Sequence, residues 1–371
     1  MSRNTGFCTI LLSLFLALRA VPAAARVWTD SAGRQQVEAE FVDANGERVW
    51  LKPADGATFS VLIQSLSEAD QEHVRRLLRD ENATRKTRPA AADSIAYGPG
   101  KRLATLACRK LDELSGMACS RRHAGLFWAH NDSGADARLY LLDLKGRELG
   151  SCTLAGVTAY DWEDIASFTA DGKPYLLIAD TGNNGLAAAV HMLYLIEEPP
   201  CDPGRGVLAK EVPVVRTFYF SFEDDYRNCE ALAIDPTDKT ILMVSKERSA
   251  TCHAYALPWP KDDGRANPNE APKRAAVARL IATLELRQAT GMDVSPDGRR
   301  AVVVTYGHAF EYVRGEKEDW AKAFGRPPRE IACPVRFQGE SICYGPDGKT
   351  LYLSSELRPT PLFEIPVLAP R

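Results

Sequence analysis

Five short segments of the chain repeat a polar residue, a second polar residue two positions on, and an apolar residue shortly after. They read ELSGMA, DWEDIA, NCEALA, QATGMD and QGESIC, and their third residues, here called the anchors, are Ser115, Glu163, Glu230, Thr290 and Glu340. Glu113 and Asp161 stand two residues before the first two anchors. Carboxylates brought close together cannot all ionise cheaply, so their pKa values rise or a cation neutralises them.

The residue types predict which cation this would be. Oxygen donors without an organised His or Cys set favour a hard cation, Ca²⁺ first and Mg²⁺ second. The metal ligands we predict are the three glutamate anchors with nearby side-chain amides: Glu163, Glu230, Glu340, Asn131, Asn183, Asn184 and Asn228. In the alternative interpretation, these carboxylates bond to backbone amides or pair with basic residues such as Lys246.

A second set of polar residues ends the apolar run that follows each anchor. These residues are Asp132, Asp180, Lys246, Tyr306 and Glu356. Together with Glu113 and Asp161 they are the residues predicted to bind a polar ligand. For catalysis the candidates are Glu163, His130 and His308, because the two histidines lie where a general base would be placed. The sequence contains no GxSxG nucleophile elbow.

The elements that must position these residues follow from the spacing of the anchors. Consecutive anchors lie 48, 67, 60 and 50 residues apart, and a four-stranded propeller blade takes ~40–50 residues. Apolar runs alternate with Pro-Asp-Gly turns, which is typical of an all-β fold. The prediction is a five-bladed β-propeller whose last blade is completed by the early segment KRLATLACRK. A sixth blade concealed in the 67-residue interval is the alternative.

The first residues predict export. Residues 1–25 combine Arg3, a short apolar run and small residues before a cleavage point, as in a secretory signal peptide. The run falls short of the ~20 residues that span a bilayer, so an uncleaved anchor is the weaker alternative. We expect an exported, periplasmic or extracellular protein with no membrane span after cleavage. The net charge of −3 argues against a nucleic-acid partner.

Export leaves the eight mature cysteines with two interpretations. An even number in an oxidising compartment permits disulfides. The eight are scattered without a CxxC pair, and several lie in apolar strand-like runs, where a buried free thiol is equally expected.

Residues 26–78 predict a compact β module closed by a helix. RQQVEAEFV alternates apolar and polar residues, Asp55-Gly56 marks a turn, and Ser67 with Asp70 forms a capping-box start. Residues 79–100 are polar and rich in Ala, Pro and Gly, and they predict a linker. Residues 101–371 are the predicted propeller.

The module resembles a known family. RVWTD, EAEFV, ADG and LSEADQEHV are similar to the first Sla homology domain, named after an endocytic adaptor. The resemblance implies an SH3-like fold and a peptide or protein partner. The family is described as binding Asn-Pro-Phe peptides and ubiquitin. The alternative is a module that docks on its own chain or on the cell envelope.

The propeller segment carries a second resemblance. DWEDIA, YLLIADTGNN, EALAID, TGMDVSPDG and GESICYGPDG are similar to segments of secreted bacterial β-propeller proteins. More distantly they resemble calcium-dependent lactonases of the gluconolactonase and paraoxonase kind, strictosidine-synthase-like proteins and esterase-like phytases. Those families imply six blades and a central Ca²⁺ held by a Glu with Asn or Asp residues, whereas this chain shows five anchors.

These observations predict an envelope binding or adaptor protein whose acidic mouth holds a cation or a small polar ligand. The alternative function is a Ca²⁺-dependent hydrolase of an ester, lactone or phosphoester at the same mouth.

Overall fold

The computed structural model of this chain describes most of its length. The described residues are 25–44, 48–54, 58–86, 95–132, 134, 136–261, 267–336, 338–356 and 358–368, with the backbone alone for 78–86. The predicted signal peptide, apart from its last residue, and the predicted Asp55-Gly56 turn lie outside the described residues. No helix in the described part is long and apolar enough to cross a membrane.

The N-terminal module is an antiparallel four-stranded sheet followed by a helix. Its elements are β1 (Arg26–Thr29), β2 (Gln36–Ala44), β3 (Arg48–Pro53), β4 (Phe59–Leu62), a 3₁₀ turn (Ile63–Ser65) and α1 (Glu68–Lys86). The Ser67 hydroxyl accepts from the Asp70 N–H at 3.3 Å, which is the first half of the predicted capping box. The second half differs, because the Asp70 carboxylate accepts from the Ser67 hydroxyl at 2.8 Å and from the Thr29 N–H at 2.8 Å, while the Ser67 N–H bonds to the Thr29 carbonyl. Trp28 and Val74 are buried in the core of the module. Helix α1 continues into the segment predicted as linker.

Short strands make up most of the remaining chain. In order they are β5 (Lys101–Thr105), β6 (Leu114–Cys119), β7 (Leu126–Asn131), β8 (Arg138–Asp143), β9 (Glu148–Leu154), β10 (Trp162–Ala170), β11 (Lys173–Asp180), β12 (His191–Glu197), β13 (Cys201–Asp202), β14 (Gly206–Val207), β15 (Glu211–Val212), β16 (Arg216–Phe222), β17 (Cys229–Ile234), β18 (Ile241–Ser245), β19 (Cys252–Leu257), β20 (Ala276–Leu284), β21 (Ala289–Val294), β22 (Arg300–Thr305), β23 (Ala309–Val313), β24 (Arg329–Ile331), β25 (Gly339–Tyr344), β26 (Leu351–Ser355) and β27 (Pro361–Ile365). Helix α2 (Trp320–Phe324) precedes β24.

These strands form five antiparallel blades. Blade 1 is β6–β9, blade 2 is β10, β11, β12 and β16, blade 3 is β17–β20, blade 4 is β21–β24, and blade 5 is β25–β27 with β5. The predicted closure is confirmed, because Lys101 pairs with Glu364 and Ala104 with Leu362. Closing the ring with strands from both ends of the propeller segment protects the edge of the last blade. The N–H of Leu368 also bonds to the carbonyl of Ala96 at 2.7 Å.

The first strands of the blades surround a common axis. Each contacts its neighbours in the circular order β6, β10, β17, β21, β25 and back to β6. The 67-residue interval, described without a gap, holds no further blade. It contains the β13–β14 hairpin and β15, which extends blade 1 by pairing in parallel with β9. The five-bladed prediction is confirmed and the six-bladed alternative is wrong.

Apolar side chains fill every space between adjacent blades. Trp128 and Trp162 lie between blades 1 and 2, and Phe218 and Phe220 between blades 2 and 3. The other three spaces hold similar clusters. Fully burying one large apolar side chain contributes about 1.5–3 kcal/mol, so these clusters hold the blades rigidly around the axis.

The eight cysteines among the described residues are free thiols in this structure, and seven of them are buried. Burial raises the pKa of Cys252 to about 12. Cys119 on β6 and Cys343 on β25 lie closest to one another, with their sulfurs 3.7 Å apart where the last blade meets the first. The cysteines therefore act as small apolar residues of the blades.

Candidate cation site at the propeller mouth

A β-bulge marks every inner strand at the repeated motif. The register shifts lie at Glu163, Glu230, Thr290 and Glu340 in β10, β17, β21 and β25, and beside Ser115 in β6. A bulge leaves one residue outside the regular ladder and redirects its side chain. The repeat in the sequence is therefore also a repeat of one backbone irregularity at the same end of the channel.

The two hydroxyl anchors join neighbouring blades. The Ser115 hydroxyl donates to the Glu163 carbonyl at 2.5 Å, and the Thr290 hydroxyl donates to the Gly339 carbonyl at 2.6 Å. Both bonds run from one inner strand to the bulge of the next. The glutamate anchors are left to supply the charge of the mouth.

Lys246 supplies the positive charge on one side of the mouth. Its ammonium group forms an ion pair with Glu230 and lies 5.0 Å from the centre of the Tyr306 ring. Burial lowers the pKa of Lys246, but Glu230, Tyr306 and Glu340 together hold that pKa well above its ordinary value. Asn228 donates to the other oxygen of Glu230 at 3.0 Å. Glu230 therefore has its partners within the protein.

Three carboxylates, here called the acid cluster, form the other side of the mouth. Ligand oxygens of Asp132, Asp161 and Glu163 all lie within 4.8 Å of one another. Glu163 is 2% exposed, and its Oε1 has no hydrogen-bond partner among the described residues. Burial, together with Asp132 and Glu230, raises the pKa of Asp161 to about 6. Burial and the same two neighbours raise the pKa of Glu163 well above its usual range.

The donor set of the acid cluster fits a hard cation. Calcium takes oxygen ligands at about 2.3–2.6 Å, so oxygens this close can contact one ion. Gly182 makes the approach possible, since a Cβ there would lie 2.2 Å from the Asp161 carboxylate and 2.3 Å from Glu163 Oε1. Gly182 belongs to the DTGNN segment at the end of β11. The close approach of the two carboxylates explains why this segment contains a glycine.

One lysine faces more carboxylates than it can neutralise. Its charge lowers the pKa values of Asp161, Glu163, Glu230, Glu340 and Glu356. Burial nevertheless raises the pKa of Glu356 to about 7 and that of Glu340 well above its usual range. Glu113 also acts on Glu356 across the mouth. The mouth therefore holds more carboxyl groups than Lys246 alone can compensate.

Two aspartates near the acid cluster accept hydrogen bonds from backbone N–H groups. Asp180 accepts from the N–H groups of Asp161 at 2.8 Å and Tyr160 at 3.2 Å, which fixes the loop before β10. Asp164, one residue after the Glu163 anchor, accepts from the N–H groups of Leu232 at 2.8 Å and Met292 at 3.1 Å. Asp164 thus joins blades 2, 3 and 4 below the mouth, a role that sequence analysis missed.

The asparagines of the predicted shell mainly hold loops. Asn131 donates to the Lys110 carbonyl at 2.7 Å. Asn183 accepts from the N–H groups of Ala187 and Ala188 at 2.9 and 3.0 Å. The amides of Asn228 and Asn184 face each other at 3.4 Å. The residues that the structure does bring together with Glu163 are Asp132 and Asp161, from the predicted ligand-binding set.

The two candidate histidines lie away from the acid cluster's open side. His130 is fully buried against Trp162, and burial lowers its pKa to about 4. Both ring nitrogens of His308 are engaged, one with Glu330 and one with the Ala44 carbonyl, each at 2.6 Å. His308 therefore contacts the N-terminal module.

The N-terminal module sits beside the mouth on blades 3 and 4. Val42 and Trp50 of its sheet pack on Tyr306. The Asp43 carboxylate accepts from the Thr305 hydroxyl and the Gly307 N–H, both at 3.1 Å. Glu40 pairs with Arg248 at 3.3 Å. One side of the mouth is thus covered by the module, and the acid cluster lies on the other side.

The fold and site define a five-bladed β-propeller protein with an acidic mouth and a docked β module. Residues 18–82, which contain the four strands of that module, match the family SLA1 homology domain 1 (SHD1). The curated proteins include no match to the chain.

Among solved structures, the chain is similar to the PQQ-bound aldose sugar dehydrogenase from Streptomyces coelicolor and to a chain of the nidogen/laminin complex. The first similarity has 13% identity and a TM-score of 0.41, over 75% of this chain and 100% of that one. The second has 11% identity and a TM-score of 0.38, over 65% and 72%. Neither similarity bears on activity.

Proposed function

We propose that the propeller mouth binds a divalent cation, Ca²⁺ before Mg²⁺, through Asp132, Asp161 and Glu163. The protein then works as a binding or adaptor protein of the cell envelope, to which the signal-like first residues direct it. Its SHD1 module supplies the protein-interaction function. The observation that carries the cation proposal is the buried, unpartnered oxygen of Glu163, facing two further carboxylates.

The distribution of charged groups within the mouth supports the cation proposal. Lys246 is already paired with Glu230, and Oε1 of the buried Glu163 has no hydrogen-bond partner among the described residues. Burial and neighbouring carboxylates raise the pKa values of Asp161 and Glu163, which favours their protonated forms. A divalent cation displaces such protons and satisfies the unpartnered oxygen of Glu163. Binding should therefore release protons.

The test is thermal unfolding of the mature protein in excess chelator and in millimolar Ca²⁺. A site filled at 100 times its dissociation constant stabilises the fold by ~2.7 kcal/mol. Glu163→Gln should abolish this shift and should also stabilise the cation-free protein, because a buried glutamine needs neither a bound proton nor a counter-charge beside the other two carboxylates. The matched control is Glu316→Gln, an exposed acid elsewhere, which should leave the Ca²⁺ shift intact.

Identical melting curves with and without Ca²⁺ would mean that the acid cluster binds no cation and has a purely structural role. A panel of ester, lactone and phosphoester substrates addresses the hydrolase alternative. Ca²⁺-dependent turnover that Glu163→Gln abolishes would make the mouth a catalytic site.

A further inference from the structure

A second, basic cavity lies where the N-terminal module meets blade 3. Its volume is about 470 Å³, which is within the range of small-molecule sites, roughly 300–1,000 Å³. Lys52 of β3 enters it from the module, and Arg227, Lys246 and Arg248 enter it from the propeller. The acid cluster does not line it.

The lining of this cavity carries more basic than acidic side chains. It holds four basic residues against two acidic ones, Asp225 and Glu247, in a chain whose net charge is −3. Arg227 is paired with Asp224 at 2.5 Å and with Glu247 of the lining at 3.3 Å, and Arg248 with Glu40 at 3.3 Å. Lys246 is paired with Glu230. Ion pairs therefore hold the three propeller cations in place.

Lys52 differs from the other three. Among the described residues it has no ion pair, and it is brought near two further cations. Burial is the largest cause that lowers the pKa of Lys52, Arg248 and Lys246 lower it further, and Glu230 and Glu40 offset these effects only in part. Such like-charge crowding is relieved when an anion enters, just as a cation relieves crowded carboxylates. The ammonium of Lys52 is thus the group with the most to gain from an anionic ligand.

The rest of the lining indicates what else the ligand carries. Leu186 and Tyr226 are 53% and 48% exposed beside the cavity, and Tyr306 lies at its inner side. Exposed aromatic and aliphatic side chains next to convergent charges are typical of sites for small organic ligands. A bare inorganic ion would leave this apolar surface uncovered.

We propose that this cavity binds a small organic anion, a carboxylate or phosphate ester with a ring or apolar portion, between the module and the propeller. Lys52, Arg227, Lys246 and Arg248 take the anionic group, while Tyr226 and Leu186 cover the apolar part. Because the ligand touches both parts of the chain, it strengthens the docking of the module. This site is separate from the cation site proposed above.

The experiment compares phenyl phosphate, benzoate and uncharged benzyl alcohol as probes, by calorimetric titration of the mature protein at constant ionic strength. One or both anions should bind and benzyl alcohol should not, and the tighter of the two identifies the anionic group. Lys52→Gln should weaken that binding by about tenfold or more, the usual effect of losing a charge-assisted hydrogen bond. The ligand-free variant should melt higher than the wild type, because the crowding of cations is relaxed.

Two further variants separate this proposal from general charge effects. Lys349→Gln removes an exposed lysine in a turn of blade 5 and should leave binding unchanged. Tyr226→Ala removes an exposed ring, so the fold is not at risk, and it should weaken phenyl phosphate or benzoate binding more than that of inorganic phosphate. Equal affinities in the wild type and Lys52→Gln would overturn the proposal, as would the absence of binding by both anions.

Discussion

Both sides of the propeller mouth hold side chains of like charge close together, but the charges on the two sides have opposite signs. On one side the acid cluster crowds Asp132, Asp161 and Glu163 within 4.8 Å. On the other, Lys52 is placed near Lys246 and Arg248. In both places like charges are held close by a rigid frame, and burial opposes the charged form. The expected ligands therefore have opposite signs.

The two sides differ in how they are built. The acid cluster belongs entirely to the propeller, on a bulged inner strand and the loops beside it. The basic cavity is shared, because Lys52 comes from the SHD1 module and the other cations from blade 3. A ligand on the acid side should stabilise the propeller itself, whereas a ligand on the basic side should stabilise the docking of the module. Lys246 touches both, since it pairs with Glu230 and lines the cavity.

The largest effect should come from removing that shared charge. Lys246→Met leaves the buried Glu230 without its ion-pair partner, close to Glu340 and Glu163. Breaking a buried pair by removing one partner destabilises by about 3–5 kcal/mol. Urea unfolding of Lys246→Met should show this loss, with the surface variant Lys349→Met as the control. A neutral result would mean that the carboxylates are already protonated around Lys246.

Much of this comparison follows from the sequence. The repeat of anchors predicted the inner strands, the five blades and the closing strand, because each blade repeats one hydrophobic pattern around one axis. It also placed Asp132, Asp161 and Glu163 at one mouth. The repeated motif stands at the same end of every inner strand, which explains this success.

What the sequence did not supply depends on contacts between distant segments. Glu163 and Asp164 are adjacent, yet the bulge turns one toward the mouth and the other toward the N–H groups of blades 3 and 4. No local pattern distinguishes them. His308 has the position of a general base, but its partners Asp43 and Ala44 lie more than 200 residues away. Docking of the module could not be predicted from either segment by itself.

Docking should also depend on pH through His308. Burial lowers its pKa, but Asp43 and Glu330 outweigh burial and raise it to about 9 from 6.5. A raised histidine pKa contributes stability that is fully present below pH 6.5 and lost as the pH rises through 9. The shift corresponds to about 3 kcal/mol. The difference in unfolding free energy between the wild type and His308→Gln should shrink by about this amount from pH 6 to 9.5.

Taking the difference between two proteins cancels other titrating groups, including the buried His130 and His191, whose pKa values are lowered to about 4. If the gap between the two proteins stayed constant over this range, His308 would be neutral in the docked state. Its bonds to the module would then be ordinary hydrogen bonds.

The smallest effect on stability should give the sharpest test of the acid cluster. Gly182→Ala adds one methyl group, which would meet the carboxylates of Asp161 and Glu163 at 2.2–2.3 Å and push them apart. Overpacking of this kind costs typically about 1–3 kcal/mol, and Ca²⁺ affinity should fall by at least about tenfold because the ligand oxygens no longer converge.

Gly185→Ala is the matched control in the same loop, since nothing lies within 4 Å of its added Cβ. Calorimetric titration with Ca²⁺ should therefore separate two single-methyl variants three residues apart. Unchanged affinity in Gly182→Ala would place any bound cation outside the acid cluster and would remove the electrostatic distinction between the two sides.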